Sequence, residues 1–149
     1  MNWTYKIFDT LTAPELYNIM RLRSQVFVVE QNCVYLDADG KDEHSWHLCG
    51  WDGNTLVAYC RILPPGLAFT EASIGRVVSN PAFRRTGAGR RLMEIAIEKT
   101  LQQFNVRTIT IGAQLYLQQF YGSLGFVPVG ETYLEDGIPH IHMQFTAEN

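Results

Sequence analysis

The sequence predicts an α/β (α+β) domain, a mixed sheet of six to seven strands flanked by helices on both faces. Three observations carry that expectation. Short β-branched runs, such as Ile74 to Val78 and Thr108 to Ala113, alternate with stretches whose apolar residues recur at helical spacing. The order strand, helix, strand from Ile74 to Ala113 is that of a right-handed crossover unit with parallel strands. Turn signals at Asp52-Gly53-Asn54 and Glu135-Asp136-Gly137-Ile138-Pro139 separate the remaining strands.

Length and composition bound the answer. A chain of 149 residues, 46% hydrophobic and 18% charged, fits one soluble domain spanning 1–149 with a substantial core. A net charge of -3 argues against a nucleic-acid partner, which would call for a basic excess. No stretch is long and apolar enough to span a bilayer, and the N-terminal residues carry no signal-peptide core, so no membrane partner is expected. Cys33, Cys49 and Cys60 form an odd set without paired spacing, which points to reduced thiols and a cytoplasmic location.

Trp3 to Phe8 alternates and reads as the first strand. Thr12-Ala13-Pro14-Glu15 starts a helix, with Thr12 as N-cap, Pro14 in the first turn and Glu15 closing a capping box. That helix carries Leu16, Ile19, Met20, Leu22, Arg23 and Val26, and ends between Phe27 and Glu30. The β-branched pair Val28-Val29 weakens it there. Asp37 to Glu43 follows as an acidic loop whose spacing fails the calcium-loop pattern, so a solvated loop is expected, or one facing a cationic substrate. Trp46 to Trp51 and Leu56 to Leu63 form a hairpin. Leu67 to Ser73 is a loop, and the helix beyond Gly89 runs to about Phe104. Leu117, Phe120, Tyr121 and Leu124 share the face of a shorter helix that Gly125 stops. Val127 to Tyr133 and Ile141 to Phe145 are the last strands.

The most informative stretch lies between Ile74 and Met93. An apolar strand ends at Asn80-Pro81, and Arg84, Arg85, Gly87 and Gly89 then lead into a helix with apolar Leu92, Ile95, Ala96 and Ile97. The first N–H groups of a helix lack intrahelical partners and sit at the positive end of its dipole. Glycines let a ligand approach that backbone closely. Such a turn is an anion cradle, most often for phosphate. The Walker A and dinucleotide patterns do not fit, because no Lys-Ser or Lys-Thr follows and the three-glycine spacing is absent.

Arg84-x-x-Gly87-x-Gly89 after a strand resembles the coenzyme pyrophosphate loop of the GNAT superfamily of N-acetyltransferases. The strand Thr108–Ala113, followed by Phe120-Tyr121 and Gly125-Phe126, resembles that superfamily's second signature. Leu22-Arg23-x-x-Val26-Phe27-Val28-Val29-Glu30-Gln31, Asp37-x-Asp39-Gly40-x-Asp42, Ile74-Gly75-Arg76-Val77 and Glu135-Asp136-Gly137-Ile138-Pro139-His140 are similar to its ElaA-type branch. One position departs from the pattern: Arg85 stands where many members have Gly.

The resemblance implies the GNAT acyltransferase fold, with the sheet splayed between its fourth and fifth strands. It implies acetyl-CoA as co-substrate, an amine acceptor, no metal, and a homodimer as the family's frequent assembly. The pyrophosphate would lie on the amides of Arg85, Thr86, Gly87, Ala88 and Gly89, with Arg84 or Arg90 pairing its charge. The pantetheine arm would run beside Val77, Val78 and Ser79, the Val78 N–H polarising the thioester carbonyl and Gln114 bonding the arm's amide. Tyr121 would protonate the leaving thiolate, since a phenol with a pKa of about 10 is protonated at neutral pH. The base stays open among Glu30, His47, Glu135 and His140. His140 and His142 share a strand face, but a zinc site would need His44 or His47 as well, so no metal is expected. Two other readings stand beside the enzyme: a non-catalytic acyl-CoA sensor on the same fold, and an acyl-homoserine-lactone synthase, whose Arg-x-x-Val-Phe and acidic patterns are similar.

Overall fold

Four strands form an antiparallel meander in the computed structural model, which describes residues 1–148: β1 (Asn2–Ile7), β2 (Trp46–Asp52), β3 (Thr55–Leu63) and β4 (Ser73–Ser79). Three more, β5 (Thr108–Gln114), β6 (Val127–Glu135) and β7 (Ile138–Thr146), form an antiparallel sheet with β7 in the middle. The two sheets meet at a parallel bridge between Ala72 and Ile109, where the Thr110 N–H donates to the Ala72 carbonyl at 3.0 Å. Beyond it β4 and β5 do not pair. The expected splayed, mixed sheet is therefore present as two sheets joined at one end.

Local chemistry explains the elements. In α1 (Ala13–Arg23) the Thr12 hydroxyl accepts from the Glu15 N–H at 3.2 Å, and the Thr12 N–H donates to Glu15 Oε1 at 2.8 Å. This is the expected reciprocal cap. The helical path continues to Glu30, but Ser24–Glu30 widens into a π-helix, with the Gln31 N–H bonded to the Val26 carbonyl at 3.1 Å. Gly53-Asn54 turns β2 into β3. At Gly50 a Cβ would stand 2.7 Å from the Trp3 ring, so only glycine lets β1 and β2 approach there. The second turn is tighter than expected: Asp136-Gly137, both at positive φ, suffices, and Ile138 and Pro139 already belong to β7.

Helices cover both faces, as expected. Against one face, α2 (Ala88–Phe104) packs Leu92, Met93 and Ala96 onto Val57, Ile62, Ile109 and Met143. Against the other, α1 packs Ile19 and Leu22, with Val26 beyond, onto Trp51, Tyr59 and Val78. α3 (Gln118–Ser123), entered through a 3₁₀ turn at Leu115–Leu117, closes the first core with Tyr121.

The acidic loop departs most from expectation. Its aspartates turn inward, while Ala38, Gly40 and Glu43 stay exposed. Arg23, fully buried, places Nε 2.8 Å from Asp37 and Nη1 2.6 Å from Asp42. Arg61 on β3 reaches Asp39 at 2.7 Å and Asp42 at 3.0 Å, and Arg76 on β4 lies 2.9 Å from Asp37. The Arg76 contact is an ion pair off the hydrogen-bond line, since Nε has no hydrogen-bond partner. Burial opposes ionisation of Asp39 and Asp42, but the guanidiniums outweigh it and hold both carboxyls below the ordinary value of 3.8. His47 lies in the same interior, bonded to the Tyr59 hydroxyl at 2.7 Å and the Asp42 carbonyl at 2.9 Å, and burial lowers its pKa.

Two outcomes follow from this network. Arg23→Ala leaves the buried Asp37 and Asp42 with one guanidinium each instead of two and is expected to lower unfolding free energy by about 3 kcal/mol, read from urea denaturation. Folded-state pKa values below 3.8 make the Asp39 and Asp42 contribution complete above that pH and lost as pH falls through the folded values. Stability measured against pH should therefore drop below about pH 4.

Candidate active site

Where β4 and β5 part, a cleft of about 580 Å³ opens. One wall is Ile74 to Ser79 of β4 and the other is Ile111, Gly112 and Gln114 of β5. At one end lie the loop before α2 and, from α3, Phe120 and Tyr121. Phe27, Glu30, Gln31, Cys33 and Tyr35 also line the cleft, Glu30 reaching Arg84 of that loop, and the β6–β7 hairpin contributes Glu135, Asp136 and His140.

The opening has a local cause. Arg76 adopts φ 48° within β4, and one extra residue there breaks the register between Tyr59 and Arg61. A bulge of this kind bends the strand away from its neighbour. Its cost is met by the Asp37 ion pair and by the Tyr35 ring, whose centroid is 5.7 Å from the Arg76 guanidinium carbon.

The loop before α2 leaves the helix start open. Gly87, at φ 85°, is the N-cap and supplies no side-chain acceptor, so the amides opening the helix have no cap from it. Arg84, Arg85, Gly87, Ala88, Gly89 and Arg90 all line the cleft. Thr86 does not; its hydroxyl donates to the Phe83 carbonyl at 2.6 Å and holds the turn. Arg90 donates to Ser123 Oγ at 2.9 Å, tying α2 to α3.

The backbone of β4 reassigns one expected role. The Asn80 N–H donates to the Val57 carbonyl at 2.7 Å, and the register sets Ala58 opposite Ser79 and Tyr59 opposite Val78. Amides alternate in direction along an antiparallel ladder. Val78 therefore turns its N–H toward β3, not into the cleft as expected, and Ser79 turns its own toward the cleft. Val77, just past the bulge, lies next along that edge.

Tyr121 is buried, its ring edge-on to Phe120 and Phe126 at 5.2 and 5.9 Å. Burial pushes its pKa up, which keeps the phenol protonated. Its hydroxyl bonds to no described residue. The base candidates separate. His47 is outside the cleft lining and held on both nitrogens. Glu30 is clasped by Arg84 at 2.9 and 2.5 Å, a hydrogen-bonded pair that lowers its pKa. His140 is buried beside the cleft, with Nδ1 2.7 Å from the Ile138 carbonyl and Nε2 3.6 Å from Glu135. A carbonyl accepts only, so Nδ1 carries the proton and Nε2 has the free lone pair when the ring is neutral. His142 instead packs against Tyr133 and Phe69, at 4.6 and 5.2 Å. Among the described residues no His, Cys, Asp and Glu grouping forms a metal site. Sequence reasoning missed Gln31, Cys33, Tyr35 and Arg76 as cleft residues; the signal available was that Gln31 and Arg76 lie in the ElaA-type motifs.

Residues 26–147 match the acetyltransferase (GNAT) domain model. This chain belongs to the GNAT family. Protein ElaA of Escherichia coli is 42% identical over 145 residues, covering 96% of this chain and 95% of ElaA. The ElaA crystal structure superposes with a TM-score of 0.90. An acyl-CoA N-acyltransferase from Pseudomonas aeruginosa superposes with a TM-score of 0.92 at 43% identity, covering 98% of this chain and all of that one. A CoA-dependent acyl-homoserine lactone synthase, BjaI, shares the fold alone, at 19% identity and a TM-score of 0.78, and this chain covers 82% of it. As a GNAT member the chain has an acyltransferase fold that takes an acyl-CoA co-substrate, and the cradle's uncapped amides and arginines fit such a ligand.

Proposed function

We propose that this GNAT protein is an acetyl-CoA-dependent N-acetyltransferase acting on a primary amine of a small molecule or peptide. The observation that supports it best is the pairing of an uncapped helix start with a sheet that opens beside it. The first suits a diphosphate and the second an extended thioester arm. In this reading the pyrophosphate rests on the amides of residues 85–89, and the arm lies along Val77 to Ser79 with Gln114 bonding its amide.

His140 Nε2 takes a proton from the acceptor ammonium, and Glu135 stabilises the imidazolium that results. The freed amine nitrogen attacks the thioester carbonyl carbon. The Ser79 N–H, or that of Val77, donates to the oxygen as it becomes an oxyanion. The carbon–sulfur bond then breaks, and the thiolate takes the Tyr121 proton. The acylated nitrogen gives up its second proton to solvent, an amide and free coenzyme A leave, and solvent reprotonates Tyr121 as His140 releases its proton. No observation favours a non-catalytic sensor over the enzyme. The lactone-synthase reading has a shared fold at 19% identity and similar Arg-x-x-Val-Phe and acidic patterns behind it, and no observation favours it over the N-acetyltransferase. The buried, unpaired thiols of Cys33, Cys49 and Cys60 suit a reducing cytoplasm. The open edge of β6, with Val127 and Leu134 exposed, is the surface a homodimer would use.

The test is thermal melting with millimolar acetyl-CoA, followed by thiol release over an amine library. A rise in melting temperature and turnover with some amine are expected; an unchanged melt would overturn the reading. Tyr121→Phe should lower kcat about 10²–10⁴-fold while leaving acetyl-CoA affinity nearly unchanged. His140→Gln should lower kcat at neutral pH, with partial recovery at higher pH as solvent deprotonates more of the amine.

A further inference from the structure

Two consecutive residues at the end of the π-helix hold the polar groups that a coenzyme would need. The Glu30 carboxylate grips Arg84 through two hydrogen bonds, at 2.9 and 2.5 Å. Gln31 and Gln114 exchange a reciprocal pair of amide hydrogen bonds, each 3.2 Å. Arg84 belongs to the cradle loop that follows β4, and Gln114 ends β5. The end of the π-helix thus spans the gap between the two sheets and clasps one residue on each side.

We propose that Glu30 and Gln31 form a built-in plug, a carboxylate standing in for phosphate and a carboxamide standing in for the pantetheine amide, which the coenzyme displaces on binding. This rests on the coenzyme reading above and goes beyond it. The chemistry matches at both positions. Arg84 exchanges one anion for another, so its charge stays paired throughout. Gln114 exchanges one amide partner for another and loses no hydrogen bond. A π-helical stretch suits a part that must shift. Its bonds run from Gln31 to Val26 and from Cys33 to Val28, at 3.1 and 3.0 Å, and such wide turns recur at functional sites.

Displacement has a consequence for the acceptor. Held by Arg84, the Glu30 carboxylate is already paired. Released, it becomes an uncompensated negative charge in the cleft into which an ammonium must come. Coenzyme binding therefore creates a counter-charge for the acceptor and favours coenzyme first, acceptor second.

The plug is weak by construction, because Glu30 and Arg84 are both 41% exposed at the side chain. Exposed pairs of this kind shift an equilibrium by about two- to fivefold. Calorimetric titration of acetyl-CoA into the full chain and four variants tests it through the sign of each change. Glu30→Gln and Gln31→Ala remove the plug and leave the groove intact, so affinity should rise about two- to fivefold. Arg84→Ala and Gln114→Ala remove the groove's own contacts, so affinity should fall. A merely structural role would weaken binding in all four. If the unsubstituted chain binds acetyl-CoA and neither Glu30→Gln nor Gln31→Ala binds it more tightly, the plug is overturned and the coenzyme site stands. If the unsubstituted chain binds no acetyl-CoA, the coenzyme reading falls and the plug falls with it.

Discussion

The structure turns on a buried exchange of charge between Arg23, Arg61 and Arg76 and Asp37, Asp39 and Asp42. These residues come from α1, β3, β4 and one loop, so the network ties three packed elements to a segment with almost no regular structure. Arg76 is the member that matters for the cleft. Its left-handed backbone makes the bulge, the bulge bends β4, and the bend parts the two sheets. A buried guanidinium without carboxylates would be costly, and so would buried carboxylates without guanidiniums. Each set therefore requires the other, and together they fix the geometry of one cleft wall.

A second constraint acts at the end of the cleft where α2 begins. α2 must begin where the cleft opens, because its first amides are useful only if they face the gap. Gly87 at φ 85° permits the abrupt start, and Arg90, bonded to Ser123, holds α3 against it. That contact also positions Tyr121, two residues before Ser123 and buried among Phe120 and Phe126. One helix start thus orients both the anion cradle and the phenol proposed as proton donor. The same burial that fixes the Tyr121 ring raises its pKa, so packing and chemistry point the same way.

Much of this was legible in the chain. The capping box at Thr12 and Glu15, the strand–helix–strand unit and the helix stop at Gly125 are local signals, and local signals read well from sequence. The Arg84-x-x-Gly87-x-Gly89 spacing marked the turn into α2 because it depends on neighbours only. What could not be read depends on distance in space. Asp37, Asp39 and Asp42 look like a solvated loop until Arg61 and Arg76, far along the chain, fold against them. The direction of the Val78 amide depends on register with β3, which a bulge shifts by one residue. His47 and His140 look alike in sequence, and burial beside different partners separates them.

Arg85 joins these levels. It sits at φ 65°, a conformation that glycine adopts freely and an L side chain adopts at a cost of about 1–2 kcal/mol. Arginine is therefore the less comfortable choice for the backbone. Its neighbours do not repay it, since Arg84 is clasped by Glu30 and Arg90 by Ser123, while Arg85 pairs with no described residue. It is therefore the one cradle arginine already free to meet an incoming phosphate, before any exchange at Arg84 has taken place. A strained backbone carrying an unpaired cation at the mouth of an anion cradle makes sense if first contact with the coenzyme is electrostatic. On that view Arg85 draws the diphosphate in, Arg84 then changes partners, and the uncapped amides hold what the two arginines have delivered.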